Sequence, residues 1–334
     1  MTSLRRRVWT SVAGFGALAV AATVLAPTVG STPISLARAF DRAIPFAANV
    51  DAQIFFVARL PRTLAAALVG AALAAAGVVL QALLRNPLAT PFTLGVSAGA
   101  SLGAMLAIMA VGPFSLAGVS SVTLASFAGS LCAVGVVYGL ARIRHRGLST
   151  DVLLLAGVTM NAFFSALILF VQYFADMAET FRAMRWLMGD LDVSSYEPIL
   201  AALPLLVAAF VLFAWLPRPL NLLTLGSEAA ATRGVDVGRA QRLAFLGASV
   251  ATGAAVSLGG PIGFVGIVVP HLVRLLVGAD HRVVLPASAL FGAAFLVLCD
   301  LVARTALSPL ELPVGVITAL IGGPFFLWLL VRRK

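Results

Sequence analysis

The chain has 334 residues, 61% of them apolar and only 11% charged, and its mean hydropathy is +1.04. A water-soluble domain of that composition would aggregate, so most of its surface must be solvated by lipid. The net charge of +10 does not point to nucleic acid, because the basic residues are arginines scattered between apolar runs with no aromatic-interleaved patch.

Lys334 is the only lysine, so the chain holds neither a GxxxxGK[ST] phosphate loop nor a Schiff-base lysine. ATP energy would have to come from a partner. Cys132 and Cys299 lie in apolar runs, and His145, His271 and His281 are too dispersed for a zinc motif. With neither GxSxG nor HExxH in the spans, no enzyme, bound metal or cofactor is expected of this chain.

Arg5-Arg6-Arg7 followed by Val8 to Ala26 resembles a signal peptide, but the apolar run exceeds the usual core of about 7 to 15 residues. It is read as an uncleaved first helix. A bilayer core needs about 20 apolar helical residues, and runs of that kind predict ten spans. Their limits are 8–27, 59–84, 92–110, 118–141, 152–174, 197–216, 241–258, 262–277, 283–303 and 312–331. The fold class is therefore an all-α polytopic membrane protein, with 1–334 forming one transmembrane domain. The third span carries Gly95, Gly99 and Gly103, and the eighth is short and contains Pro270. Corresponding positions in spans 2–5 and 7–10 suit two inverted repeats, whereas the glycines alone also suit close helix packing.

An even number of spans puts both termini on one side. With the termini in the cytoplasm, only seven Lys/Arg fall outside (Arg38, Arg42, Arg59, Arg62, Arg182, Arg185 and Arg304), and the other 16 of the 23 lie inside. Loop 217–240 is then cytoplasmic.

Four groups of residues stand out. Gln81 to Pro91 forms a proline-stiffened cytoplasmic turn, either a plain turn or a gate lip. In the loop Leu225 to Val237, Ser227 is expected to be an N-cap, Ala229 to Thr232 a helical turn and Gly234 a C-cap. That short helix is either a connector or a plug for a groove on another protein. Arg59, Arg62 and Arg304 lie near the outer ends of the second and ninth spans, as snorkelling groups and an ion pair with Asp300 or as a cationic rim for an acidic partner. Asn161, mid-span in the fifth helix, either faces a pathway or bonds a neighbouring helix. Asp151, Asp300 and Arg274 fall near span ends, so the midplane carboxylates of an ion-driven carrier, the alternative mechanism, are not evident.

The stretches Arg59 to Ser101, Leu148 to Val158, Gly259 to Pro286 and Asp300 to Leu330 resemble the FecCD family of binding-protein-dependent permeases, which import ferric siderophores, haem and cobalamin. The resemblance implies a homodimer of ten-helix subunits with the path at the interface, walled by the fifth helix. It also implies two cytoplasmic ATPases that hold the ATP and Mg, and a periplasmic binding protein above. Carried over by position, Asn86, Leu88, Ser149 and Thr150 would be cytoplasmic gates. Glu228, Ala229, Ala230, Arg233 and Gly234 would lie in the segment seated on the ATPase, and Arg59, Arg62 and Arg304 would meet acidic residues of the binding protein. The implied location is the bacterial inner membrane.

Overall fold

The computed structural model describes residues 2–112, 114–143 and 150–332. Helix α1 (Thr2–Leu25) leads to a loop carrying two one-turn helices, α2 (Leu36–Ala39) and α3 (Val50–Gln53). Each short helix starts where a side chain covers a free N–H: Ser35 accepts from Arg38 N, and Asn49 accepts from Ala52 N. From α3 the chain passes through wider π turns (Ile54–Arg59) into α4 (Leu60–Leu83), so the second span lies in one helix running over Val50–Leu83. A 3-10 turn (Pro91–Leu94), closed by reciprocal Thr90 and Thr93 bonds, ends at Gly95 with φ +75°. Only then does α5 (Val96–Leu106) begin.

A two-residue hairpin of β1 (Ser115–Leu116) and β2 (Val119–Ser120) follows, turning at Ala117 and Gly118, both with positive φ. The fourth span, expected from 118, therefore starts after the hairpin as α6 (Ser121–Ile143). Next come α7 (Thr150–Tyr173), α8 (Met177–Leu187), α9 (Glu197–Trp215), α10 (Pro217–Leu223) and α11 (Ser227–Ala231). The chain closes with α12 (Val237–Gly259), α13 (Val265–Val277), α14 (His281–Thr305) and α15 (Val314–Arg332).

Among the described residues, seven helices are long and apolar enough to cross a membrane, and Val96–Val111, Val265–Val277 and Val314–Trp328 are shorter apolar helices. Together they are the ten predicted spans. The two short helices α5 and α13 hold the third and eighth ranks, and the leaders of the two halves, α4 and α12, pack on each other.

Helix α4 is central, enclosed by α12, α13 and α14, while α1 packs on α14, α9 on α12, and α5 on both α6 and α7. Lipid tails are as apolar as leucine, so burial alone does not drive this association; close packing does. The central helix accordingly buries Ala65, Ala66, Ala72, Ala74, Ala75 and Ala76 completely. Where α4 crosses α14, a Cβ on Gly70 would stand 2.2 Å from the carbonyl oxygen of Gly292. The glycines of the third span serve the same end: a Cβ on Gly99 would meet Gly129 O at 2.6 Å, and one on Gly103 would meet Ala125 O at 2.0 Å.

Candidate functional site

Apart from Asn161, the sequence-predicted residues that the structure describes lie at the two ends of the bundle. At the end that carries the N-terminus, where Arg7 reaches Val277 O, helix α4 stops in a Schellman arrangement. Asn86 N donates to Gln81 O at 3.1 Å and Arg85 N to Ala82 O at 3.3 Å, with Arg85 at φ +49° in the place glycine usually takes. Asn86 Oδ1 then accepts from Leu88 N at 2.9 Å, and Ala89 N donates to Asn86 O at 3.1 Å. Asn86 thus fixes a tight turn that displays Leu88, which is 42% exposed. The chain after this turn lies against α7: a Cβ on Gly157 would come within 2.3 Å of Thr93 O. Thr150 is the first residue of α7, and Ser149 lies outside the described residues.

The loop after α9 contains α10 and α11, where one short helix was expected. Gly226, not Ser227, is the N-cap of α11, because Gly226 adopts φ +114° and Ser227 is already helical without a side-chain cap bond. The other end is as expected. Gly234, at φ +81°, donates to Ala231 O, and Val235 N donates to Ala230 O at 3.1 Å. Ala230 is fully buried and Ala229 partly so, whereas Glu228, Arg233 and Gly234 face outward. A closed helical knob results, with its polar residues outermost.

The sequence had singled out nothing in α10, yet Asn221 ties this loop to the membrane helices. Its Nδ2 donates to Asp280 Oδ1 at 2.8 Å, and its Oδ1 accepts from His281 N at 2.9 Å. Asp280 also caps α14 and pairs with Arg282 at 2.6 Å. The hydrogen bonds from Arg282, joined by that from Asn221, hold the Asp280 carboxyl well below the usual carboxylate range. Asn221 and Asp280 lie 59 positions apart, so no local pattern could have paired them.

At the opposite end, Arg59, Arg62 and Arg304 do converge, but not as an exposed rim. Arg59 is 6% exposed and donates to Pro27 O and Thr32 O; Arg304 is 4% exposed and donates to Ala26 O at 2.7 Å. The reason is an uncapped chain: the turn after α1 leaves carbonyls that buried guanidinium groups satisfy. Asp300, 1% exposed, accepts from Arg62 Nε at 2.9 Å and stands 3.5 Å from Arg304 Nε, while Arg62 also reaches Glu311 at 2.6 Å. Glu311 was not anticipated. Three cations around two carboxylates leave one positive charge in excess, beside a cavity of about 200 Å³ lined by Gly30, Thr32, Arg59, Arg62, Arg304 and Glu311.

Along α7, Asn161 is exposed, on a bare face with Val158 and Leu169. It is not buried against a neighbour within the chain.

The FecCD transport family profile matches residues 18–332. The chain belongs to this family. It is 41% identical to the cobalamin import system permease protein BtuC of Halobacterium salinarum, over 99% of this chain and 98% of that protein. It is 40% identical to the hemin transport system permease protein HmuU of Yersinia pestis, over 84% of each. A solved metal-chelate type ABC transporter in an inward-facing conformation superposes with a TM-score of 0.81 at 33% identity, covering 97% of this chain and 99% of that one. The FecCD chain is thus a multi-pass transport permease and not an enzyme.

Proposed function

We propose that this FecCD permease is the membrane subunit of an ATP-driven importer that moves a bulky metal chelate inward by alternating access. The observation that carries the reading is the closed knob Ser227–Gly234 in a chain with no nucleotide loop of its own. Such a knob suits a groove on a separate ATPase. Two copies of the chain, two ATPases bearing ATP and Mg, and a soluble binding protein make up the assembly. The arginine bias supports a cytoplasmic side for both termini and the knob, and the family reading supports the bacterial inner membrane.

Asn86, Leu88, Ser149 and Thr150 form the cytoplasmic gate, and the bare face of α7 with Asn161 walls the path against the second copy. On the outer side, an acidic side chain of the binding protein enters the cavity beside Arg62, meeting the excess positive charge that Arg59, Arg62 and Arg304 supply. Haem and cobalamin, the cargoes named for the relatives, are the first chelates to try, with a ferric siderophore third.

The test is uptake by proteoliposomes containing the permease, its ATPase and its binding protein, supplied in turn with hemin, cyanocobalamin and a ferric hydroxamate. Uptake of at least one should require both ATP on the knob side and the binding protein. Uptake driven by an ion gradient without ATP would instead establish a secondary carrier.

A further inference from the structure

Pro270 stands inside α13, and its missing N–H deprives the carbonyl of Gly266 of the bond that the residue four places on would otherwise give. In a membrane-embedded helix such a carbonyl must find another donor. Gln81 of α4 supplies it: Nε2 donates to Gly266 O at 2.9 Å, and the side chain is buried. The other end of the same amide, Oε1, accepts from Arg274 Nη1, one turn past the proline. This double use fixes the amide's orientation, nitrogen toward the carbonyl and oxygen toward the guanidinium. The helices also touch directly, since a Cβ on Gly77 would lie 2.1 Å from Gly266 O.

Gln81 has a third bond. Its backbone oxygen accepts from Asn86 N at 3.1 Å, the bond that closes the turn displaying Leu88. Beyond Arg274, helix α13 ends at Val277, and Asp280 and His281 are held by Asn221 in the loop that carries the knob. A helix that lacks one backbone bond at Pro270, where proline favours a bend, is therefore fastened at one side to the turn and at the other to the knob.

We infer that Gln81 is a positioning residue that locks the bend of α13 to the turn Arg85–Ala89, so that a change of bend at Pro270 and a movement of Leu88 occur together. The inference rests on the reading of that turn as a gate. Motion entering at α10 reaches α13 through Asn221 and Asp280, and leaves it through Gln81.

Leu88→Cys in the assembled transporter, labelled with a maleimide in ATP and in ADP, reports the gate without any cargo. Gln81→Leu should abolish most of the nucleotide dependence of labelling and lower hemin or cyanocobalamin moved per ATP about tenfold, as expected when a buried acceptor loses its donor. ATP hydrolysis should continue. Pro270→Ala restores an N–H for Gly266 and removes the bend, so adding Gln81→Leu to it should change labelling little. This non-additivity separates the role from general destabilisation.

Nucleotide-dependent labelling of Gln81→Leu equal to the parent's, or losses that multiply in the double variant, would overturn the inference. Should Gln81→Leu fail to assemble, Gln81→Glu, which keeps the acceptor for Arg274 but lacks the donor, decides by the same readout. A parent complex without ATP-dependent uptake counts against the proposed function, whereas a transporting parent whose labelling ignores Gln81 counts against this inference alone.

Discussion

Asp300 holds two arginines on one carboxylate at the end of a membrane helix, and both would be left buried without it. Arg62 and Arg304 side chains are 11% and 5% exposed in these pairs, so neither can turn to water. Removing one partner of a buried pair costs about 3 to 5 kcal/mol, mostly because the remaining charge is uncompensated. Asp300→Ala should therefore lower the detergent-solubilised protein's stability by about that amount, measured by thermal unfolding, and Asp300→Asn by less. The i, i+4 spacing of Asp300 and Arg304 made their pairing legible in the sequence. The roles of Arg62, Glu311 and the carbonyls of Ala26, Pro27 and Thr32 were not, since those partners come from loops more than 25 positions away.

At the scale of elements, the knob shows how far local chemistry reaches. Gly234 terminates α11 because glycine alone tolerates its left-handed backbone cheaply, and the sequence declares this. Which face of the three alanines points inward is decided by packing: Ala230 is fully buried and Ala231 exposed. Ala230→Leu should overpack this site, at a cost of about 1 to 3 kcal/mol, and tilt the knob. The expected result is loss of ATP-driven uptake with binding-protein affinity retained; the same change at Ala231 should leave the fold intact. Chelate uptake and surface plasmon resonance on the reconstituted complex would separate the two effects.

Across the whole molecule, charged side chains collect at the two ends, and the cavity at the end opposite Arg7 keeps one excess positive charge. Arg59 and Arg304 are spent on the carbonyls of the turn after α1, so Arg62 is the residue whose change bears most directly on docking. Because that change also deprives buried Asp300 of a partner, thermal unfolding of the variant is measured alongside. Arg62→Gln should weaken binding of the soluble partner by about tenfold and flatten its dependence on salt, as expected for loss of one charge-assisted contact. Titrations at low and high ionic strength would measure both effects, and an unchanged affinity would place the docking surface elsewhere.

The sequence by itself determined the lipid solvent, the ten spans, the two short helices at matching ranks and the absence of a nucleotide loop. These depend on composition, run length and the backbone chemistry of proline and glycine, all local properties. Only the tertiary structure decided that Gly99 and Gly103 pack helices while Gly95 ends a turn, that the three arginines turn inward, and that Gln81 bonds the carbonyl freed by a proline 189 positions later. A polar group buried in a membrane must find its partner wherever the fold brings one, and separation along the chain carries no record of that meeting.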